Sequence, residues 1–180
     1  MDGHDKQNRR RLLGALAAAA AGAMGARWAL AGDPPRQAPE FTGITRWLNG
    51  PPQSMAALRG QVVLLDFWTL GCINCLHTLP ALRDWHARFA PKGLRLIGVH
   101  TPETEAEAAD AAVQAAVDKH QLRYPIALDT HYKTWEAWRN RYWPALYLVD
   151  RSGAVVFSHY GEGDYARVEQ AVEATLRAKG

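Results

Sequence analysis

The order of predicted strands and helices indicates an α/β fold built on a mixed β-sheet. Two nearly continuous apolar runs, residues 62–67 and 94–99, are typical of strands buried on both faces. Helical patterns alternate with these strands, which favours parallel pairing. Two further strands, 145–149 and 154–159, flank the turn Asp150-Arg151-Ser152-Gly153, which favours an antiparallel hairpin at one edge of the sheet.

The first 31 residues predict a twin-arginine export signal that is cleaved. Arg9-Arg10-Arg11-Leu12-Leu13 precede an Ala-rich apolar stretch, and Ala29-Leu30-Ala31 places small residues where a signal peptidase cuts. An uncleaved membrane anchor is the alternative, although an apolar run of roughly 15 residues is short against the ~20 of a spanning helix. The predicted organisation is a signal over residues 1–31, a linker over 32–40 and one periplasmic domain over 41–180.

The net charge of +3 belongs to this export signal. Residues 1–31 hold 5 of the 21 Lys and Arg residues and 2 of the 18 Asp and Glu residues, which leaves 16 of each sign and a net charge of zero. The mature chain therefore gives no electrostatic reason to expect nucleic acid or an anionic surface as a partner.

The remaining elements follow from local periodicity and turn signals. Apolar residues recur at helical spacing after Cys72, with Pro80 inside the pattern. Thr104 and Glu107 form a capping-box pattern, and Asp164 stands where it would cap the last helix. These predicted elements are an edge strand within 41–48, a helix from 72 to about 89, a helix from 104 to about 120, a strand over 125–128, a helix or irregular segment over 131–141 and a helix over 165–178.

Cys72 and Cys75 are the only cysteines of the chain, and their Cys-x-x-Cys spacing allows two uses. The pair either cycles between dithiol and disulfide or shares a metal ion. Because Cys72 stands where a helix begins, free backbone N–H groups and the helix dipole favour a thiolate there. A single close pair in an exported domain with a full-sized core favours a catalytic role. We expect Cys72 to be the nucleophile and Cys75 the buried cysteine that resolves a mixed disulfide.

A Cys-x-x-Cys pair that opens a helix directly after a strand resembles the thioredoxin superfamily. Asp66-Phe67-Trp68 is similar to the stretch before the active site of thioredoxin, and Trp143-Pro144 occupies the place of its cis-proline loop. The resemblance covers residues 41–180. It implies a thioredoxin-like three-layer sandwich, with a central mixed sheet and helices on both faces.

A narrower resemblance is to the thioredoxin-like domain of DipZ-type proteins, a branch of the exported TlpA/ResA-like thioredoxins. Seven blocks carry it, in order: Phe67-Trp68-Thr69, Cys72-Ile73-Asn74-Cys75, Leu79-Pro80, 98–103, 124–129, 140–144 and 161–165. The wider branch commonly has proline before the second cysteine and glutamate three residues after it, where this chain has Asn74 and Thr78. The resemblance also implies that a membrane electron donor of the CcdA/DsbD type, on another chain, reduces the cysteine pair.

Asp66 is the predicted acid of the site. It stands in an apolar strand next to the cysteines, so we expect burial to raise its pKa and the carboxyl group to exchange protons with Cys75 through water. The alternative is a carboxylate at the strand end that is paired with an arginine. The resemblance further implies a cis peptide bond before Pro144, which an X–Pro bond adopts in only about 5% of folded cases.

The predicted substrate-binding residues surround the cysteine pair: Trp68, Trp143, Pro144, His100 and Glu103. Five aromatic residues could line a substrate groove or pack in the core, and we expect three of them to be mainly core: Trp68, Trp135, Trp138, Tyr142 and Trp143. His100 and Glu103 follow a strand at its carboxyl end, where α/β folds usually place ligands. Glu162 and Asp164 fit a loop that faces the site and a simple turn equally well, and His77 is expected to face solvent.

The predicted function is an exported thiol–disulfide oxidoreductase that acts on protein disulfides, as a reductant, without a cofactor or a metal and as a monomer. One alternative is a thiol peroxidase, because Thr69-x-x-Cys72 is similar to part of the peroxiredoxin motif; Leu65, however, replaces its proline. The other is a copper or zinc carrier in which His77 or His159 joins the two cysteines. The direction of electron flow is left open by the sequence, although Ile73-Asn74 carries no charge that would strongly stabilise a thiolate.

Overall fold

The computed structural model describes residues 36–178. The predicted signal over residues 1–31 and linker residues 32–35 lie outside the described residues. The strands and α-helices, in chain order, are β1 (Arg46–Leu48), β2 (Val62–Trp68), α1 (Ile73–Phe89), β3 (Leu94–His100), α2 (Asp110–Lys119), β4 (Ile126–Leu128), α3 (Lys133–Trp138), β5 (Ala145–Val149), β6 (Val155–Tyr160) and α4 (Tyr165–Arg177). This order agrees with the predicted alternation.

The six strands form one mixed sheet in the order β1-β4-β3-β2-β5-β6. The central strands β2, β3 and β4 pair in parallel, as the alternation with helices predicted. Strand β5 pairs antiparallel with both β2 and β6, and β1 pairs antiparallel with β4 at the opposite edge. The sheet therefore confirms the predicted α/β fold with parallel pairing at the centre and a hairpin at one edge.

The alternation of side chains along β2 divides the core into two layers. Even-numbered residues such as Leu64 and Trp68 pack with apolar residues of α1, α2 and α4. Odd-numbered residues such as Leu65 and Phe67 pack on the other face with Trp138 of α3. Every residue of β2 is buried, because helices cover both faces of the sheet. Asp66 is even-numbered and so lies on the face that α1 covers.

Helix α1 begins immediately after Cys72 and places the cysteine pair at the edge of the sheet. It has 17 residues and contains Pro80, as predicted. Its buried side chains recur at helical spacing along the sheet side, from Cys75 to Phe89. Among residues 36–178, none of the helices combines the length and the apolar character that crossing a membrane requires.

Two helix starts differ from the sequence expectation. The capping-box segment forms a short 3₁₀ turn over Glu105–Ala108, and α2 begins only at Asp110. Asp164 precedes α4 in a left-handed conformation (φ 49°), and its side chain makes no capping hydrogen bond. Helix α3 is capped from a distance, since the Asp129 carboxylate accepts the N–H groups of Thr134 (3.0 Å) and Trp135 (2.8 Å).

Candidate active site around Cys72 and Cys75

The two cysteines differ in exposure. Cys72 is the N-cap residue of α1 and is partly exposed, whereas Cys75 is only 1% exposed. Both thiols are free, and the backbone N–H of Cys75 donates to the Sγ atom of Cys72 over 3.2 Å. A substrate sulfur can therefore approach Cys72, while burial shields Cys75 from direct attack on a substrate.

Cys75 is held as a thiol. Burial is the largest cause that raises its pKa well above the ordinary value, followed by the hydrogen bond with Cys72 and the charge of Asp66. A buried thiol with such a raised pKa becomes a nucleophile only when a nearby base takes its proton. The site therefore requires a proton acceptor close to Cys75.

Asp66 is the buried acid that the sequence predicted. Its side chain is 1% exposed, neither carboxylate oxygen has a hydrogen-bond partner, and burial raises its pKa to about 8. The alternative of an arginine-paired carboxylate is wrong, because no ion pair among residues 36–178 includes Asp66. A carboxyl group with this pKa exchanges protons near neutral pH.

Gly98 leaves space beside Asp66. The two residues are register partners on β2 and β3, and a Cβ atom on Gly98 would lie 3.1 Å from Trp68 Nε1 and 2.7 Å from Ile126 Cδ1. Trp68 Nε1 and the hydroxyl of Tyr124 are also buried without partners. Several unpaired polar atoms thus share the region of the core that contains Asp66.

The loop before β5 has the predicted cis peptide bond between Trp143 and Pro144. Trp143 is half-buried, donates from Nε1 to the carbonyl oxygen of Thr101 (3.1 Å) and packs against Trp135 with ring centroids 4.1 Å apart. The Pro144 carbonyl accepts the N–H of Gly161 (2.8 Å). Trp143 and Cys72 are both partly buried against the apolar cluster under α1, so the loop and the cysteine pair lie on the same face of the sheet.

Two predicted substrate-binding residues are corrected by the structure. Strands β2 and β3 each continue one residue further than predicted, and they bring Trp68 and His100 into register inside the layer under α1. Trp68 is 0% exposed and His100 is 1% exposed, and their rings pack edge to face with centroids 5.1 Å apart. Neither side chain can contact a substrate. Glu103 is exposed and stays a candidate.

Two large apolar side chains remain exposed next to predicted site residues. Ile73, directly after Cys72, is 61% exposed, and Tyr142, directly before Trp143, is 56% exposed. Tyr142 packs against Tyr160 of β6 with centroids 5.5 Å apart. Of the five aromatic residues considered from the sequence, Trp68 and Trp138 are buried, Trp135 and Trp143 are half-buried and Tyr142 is exposed.

The loop over residues 161–164 is fastened to the active-site helix. The imidazole Nδ1 of His77 lies 3.1 Å from the Glu162 carboxylate, and both side chains are substantially exposed. The hydroxyl of Tyr165 donates to the His77 carbonyl oxygen (3.3 Å). His77 thus faces solvent, as expected, and Glu162 is on a loop next to α1.

The sequence did not indicate that Glu107 is buried. It is 8% exposed and accepts hydrogen bonds from the Thr69 hydroxyl, the Glu103 N–H (3.1 Å) and the Thr104 hydroxyl (3.2 Å). Burial alone would raise the pKa of Glu107, but these hydrogen bonds outweigh it and the pKa lies below its usual value. The capping-box pattern indicated the contact with Thr104, whereas nothing in the pattern pointed to Thr69.

The two histidines considered as metal ligands have different surroundings. His77 is engaged with Glu162 at the surface, and His159 has a buried Nε2 atom without a partner. Within the described range 36–178, no group of three or more His, Cys, Asp or Glu side chains is arranged to hold a metal ion.

Comparison with known proteins places the chain among thioredoxin-like proteins. The AhpC/TSA family matches residues 34–158. Protein DipZ of Mycobacterium tuberculosis is 46% identical over 142 residues, which are 77% of this chain and 20% of DipZ. The thiol-disulfide oxidoreductase YkuV of Bacillus subtilis is 25% identical over 77% of this chain and 93% of its own length. The chain thus spans about a fifth of the length of the DipZ protein.

Solved structures agree with these sequence relatives. A thioredoxin-like protein in its oxidised form superposes with a TM-score of 0.72 at 26% identity, over 79% of this chain and 95% of its own. A thiol:disulfide interchange protein described as DsbE from Chlorobium tepidum has a TM-score of 0.71 at 25% identity, over 80% and 98%. The predicted thioredoxin-like fold is confirmed. The chain belongs to the AhpC/TSA family and, within the thioredoxin superfamily, to the TlpA/ResA-like branch.

Proposed function

We propose that this chain is an exported thiol–disulfide oxidoreductase that reduces disulfides of exported proteins through Cys72 and Cys75. The observation that carries the proposal is the arrangement of three groups. A partly exposed sulfur lies at the start of α1, a buried thiol follows one turn later, and an unpaired carboxyl group shares their face of the sheet. This arrangement suits a two-step exchange of disulfides.

In the first step the Cys72 thiolate attacks one sulfur of a substrate disulfide. The substrate S–S bond breaks, a mixed disulfide forms between Cys72 and the substrate, and the other substrate sulfur leaves as a thiolate that takes up a proton. We propose that the exposed Ile73, directly after Cys72, and the exposed Tyr142, directly before Trp143, offer apolar contacts for an extended substrate segment.

In the second step the Cys75 thiol gives its proton to the ionised Asp66, and the resulting thiolate attacks Cys72 Sγ. The mixed disulfide breaks, the substrate leaves with its second thiolate, and the Cys72–Cys75 disulfide forms. Two electrons have then passed from this protein to the substrate. A dithiol on another chain, which we propose is a membrane electron donor of the CcdA/DsbD type, returns Cys72 and Cys75 to the reduced state.

The proposed location is the periplasm, with the twin-arginine pattern over Arg9-Arg10-Arg11 as the export signal. Support comes from the pattern itself and from relatives whose names denote thiol–disulfide exchange, such as ResA of Bacillus thuringiensis, 28% identical over 74% of this chain. A single Cys-x-x-Cys pair without further cysteines suits a protein that folds before export and needs no disulfide for stability.

Trapping of mixed disulfides tests this function. We expect the Cys75→Ser variant, offered a protein with an accessible disulfide, to accumulate a covalent complex that a reducing agent releases, because Cys72 attacks and nothing resolves the bond. The matched Cys72→Ser variant retains Cys75 but should trap at least tenfold less, since that thiol is 1% exposed. Equal trapping by both variants, or by neither, would contradict the proposal.

The rate of hydrogen peroxide reduction distinguishes the thiol peroxidase alternative from the proposed function. A peroxidase requires reduction of hydrogen peroxide far faster than a free thiol achieves, whereas we expect the reduced protein to react at about the rate of a free thiol. The Thr69 hydroxyl, which the peroxiredoxin-like spacing would assign to the peroxide, donates instead to Glu107. Stopped-flow measurement of the reduced protein with peroxide decides between the two functions.

A further inference from the structure

The carboxylate of Glu107 lies directly against the loop that precedes Cys72. A Cβ atom on Gly71 would lie 2.3 Å from Glu107 Oε1, so only glycine leaves room for the carboxylate at that position. Consecutive Cα atoms are about 3.8 Å apart, which puts this oxygen within about 8 Å of the Cα atom of Cys72. Glu107 is 35 residues from Cys72 in the sequence, and the fold brings them together.

The carboxylate is charged and has no cation beside it. Its three hydrogen-bond donors are neutral: the hydroxyls of Thr69 and Thr104 and the N–H of Glu103. None of the ion pairs among residues 36–178 includes Glu107. The nearby His100 is not a counter-ion near neutral pH, because burial lowers its pKa to about 4. A full negative charge therefore stays next to the cysteine loop.

Thr69 connects this charge to the cysteine. Its hydroxyl donates to Glu107 and lies 3.5 Å from Nε2 of His100, while its carbonyl oxygen accepts the N–H of Cys72 (3.4 Å). Thr69 is 0% exposed. The position of the loop between β2 and α1 is thus fixed through Thr69 by a residue of the segment between β3 and α2.

We propose that Glu107 is a positioning residue for Cys72 and that its negative charge also lowers the reduction potential of the Cys72–Cys75 pair. This inference rests on the proposed function and adds a physical cause for its reducing direction. A carboxylate repels a Cys72 thiolate but has little effect on a neutral Cys72–Cys75 disulfide. The charge therefore disfavours the reduced form and makes the dithiol a better electron donor. Screening by salt is weak over this distance in a buried site.

The Glu107→Gln variant tests the charge while keeping the size of the side chain. In glutathione buffers near about pH 8, where thiols begin to ionise, we expect its equilibrium to shift toward the dithiol by about three- to tenfold. In a Cys75→Ser background, alkylation of Cys72 by iodoacetamide should accelerate by a similar factor. The matched control is Glu105→Gln, which removes the charge of an exposed glutamate in the same 3₁₀ turn and should change neither quantity.

A second variant distinguishes an effect of the Glu107 charge from an effect of a loosened loop. Thr69→Val removes the hydrogen bond but leaves the charge of Glu107, so alkylation of Cys72 should stay at or below the wild-type rate. A purely structural role would instead move both variants in the same direction. Thermal unfolding of each variant shows whether it is folded, and Thr69→Val keeps the test open if Glu107→Gln is not.

The outcomes also distinguish this inference from the proposed function. If the wild-type protein forms no Cys72–Cys75 disulfide in glutathione buffers, the proposed function itself fails. If the wild type does form it and Glu107→Gln changes the equilibrium by less than about 1.5-fold, or no more than Glu105→Gln does, the charge of Glu107 has no role and this inference is overturned.

Discussion

Two buried carboxyl groups flank the cysteine pair, and they have opposite properties. Asp66 is 1% exposed, has no hydrogen-bond donor and has a pKa raised to about 8 by burial. Glu107 is 8% exposed, has three donors and has a pKa below its usual value. Burial penalises the charge of both groups, so the donors decide which of them remains ionised.

The difference assigns the two groups to different tasks. Asp66 changes its protonation state near neutral pH and suits the transfer of a proton from Cys75. Glu107 stays charged across that range and suits a permanent structural and electrostatic role beside Gly71. Substitutions at these positions test whether the hydrogen-bond donors are the cause of this difference.

The largest effect is expected from Asp66→Asn. Because the folded-state pKa is about 8 and the ordinary value is 3.8, the unfolded chain ionises first as the pH rises, and stability falls by about 1.4 kcal/mol per pH unit between those values. An amide does not ionise, so the variant should be more stable than the wild type by about 4 kcal/mol at pH 7. Urea unfolding at several pH values measures this difference.

Below the ordinary value of 3.8 the gain from Asp66→Asn should disappear, because the wild-type carboxyl group is then protonated in both states. His100 also titrates on the acid side, but it is present in both proteins and so cancels from the comparison. A gain that stays constant from pH 4 to pH 7 would show that the carboxyl group is not buried in the unpaired form described above.

A smaller effect of opposite sign is expected from Glu107→Ala. The substitution leaves Thr69, Thr104 and the Glu103 N–H without their acceptor, which should cost about 2 kcal/mol at neutral pH. The folded-state pKa of Glu107 is lowered, so its contribution is present above the ordinary value of 4.5 and is lost as the pH falls through the folded-state value. Chemical denaturation at neutral and acid pH checks the sign, and a loss that grows on acidification would contradict it.

The smallest effect is expected from Gly71→Ala, which places a Cβ atom 2.3 Å from the Glu107 carboxylate. The side chain of Glu107 has to move, at a cost of about 1 kcal/mol. In a Glu107→Ala background the same substitution should cost close to nothing, because the conflicting atoms are gone. A double-mutant cycle of unfolding free energies measures this coupling, and equal costs in the two backgrounds would show that Gly71 and Glu107 do not compete for space.

The features of the site that were predicted correctly are those that depend on residues close together in the sequence. The Cys72–Cys75 spacing, the apolar strand that contains Asp66 and the helical pattern after Cys72 all depend on neighbours in the chain. The AhpC/TSA and TlpA/ResA-like relationship then explains why the fold and the loop at Trp143-Pro144 were predicted correctly.

The parts that were missed depend on contacts between distant segments. Glu107 had a sufficient local explanation as a capping-box residue, and its contact with Thr69 spans 38 positions. Trp68 was assigned to the substrate as an aromatic residue beside the cysteines, and His100 as a residue at the end of its strand, but β2 and β3 both continue through these residues and pair them inside the core. Asp164 was expected to cap α4, but its left-handed backbone directs the side chain elsewhere.

The unequal exposure of the two thiols also allows local opening at the start of α1 to be measured in the reduced protein. A thiol reagent in excess should modify Cys72 at once, whereas Cys75, at 1% exposure, should react only during the moments when the start of α1 separates from the sheet. The ratio of its rate to that of a free thiol gives the equilibrium for this local opening, without any label or added chromophore. A bound substrate segment that covers the helix start should slow the second modification, so the same measurement would record binding.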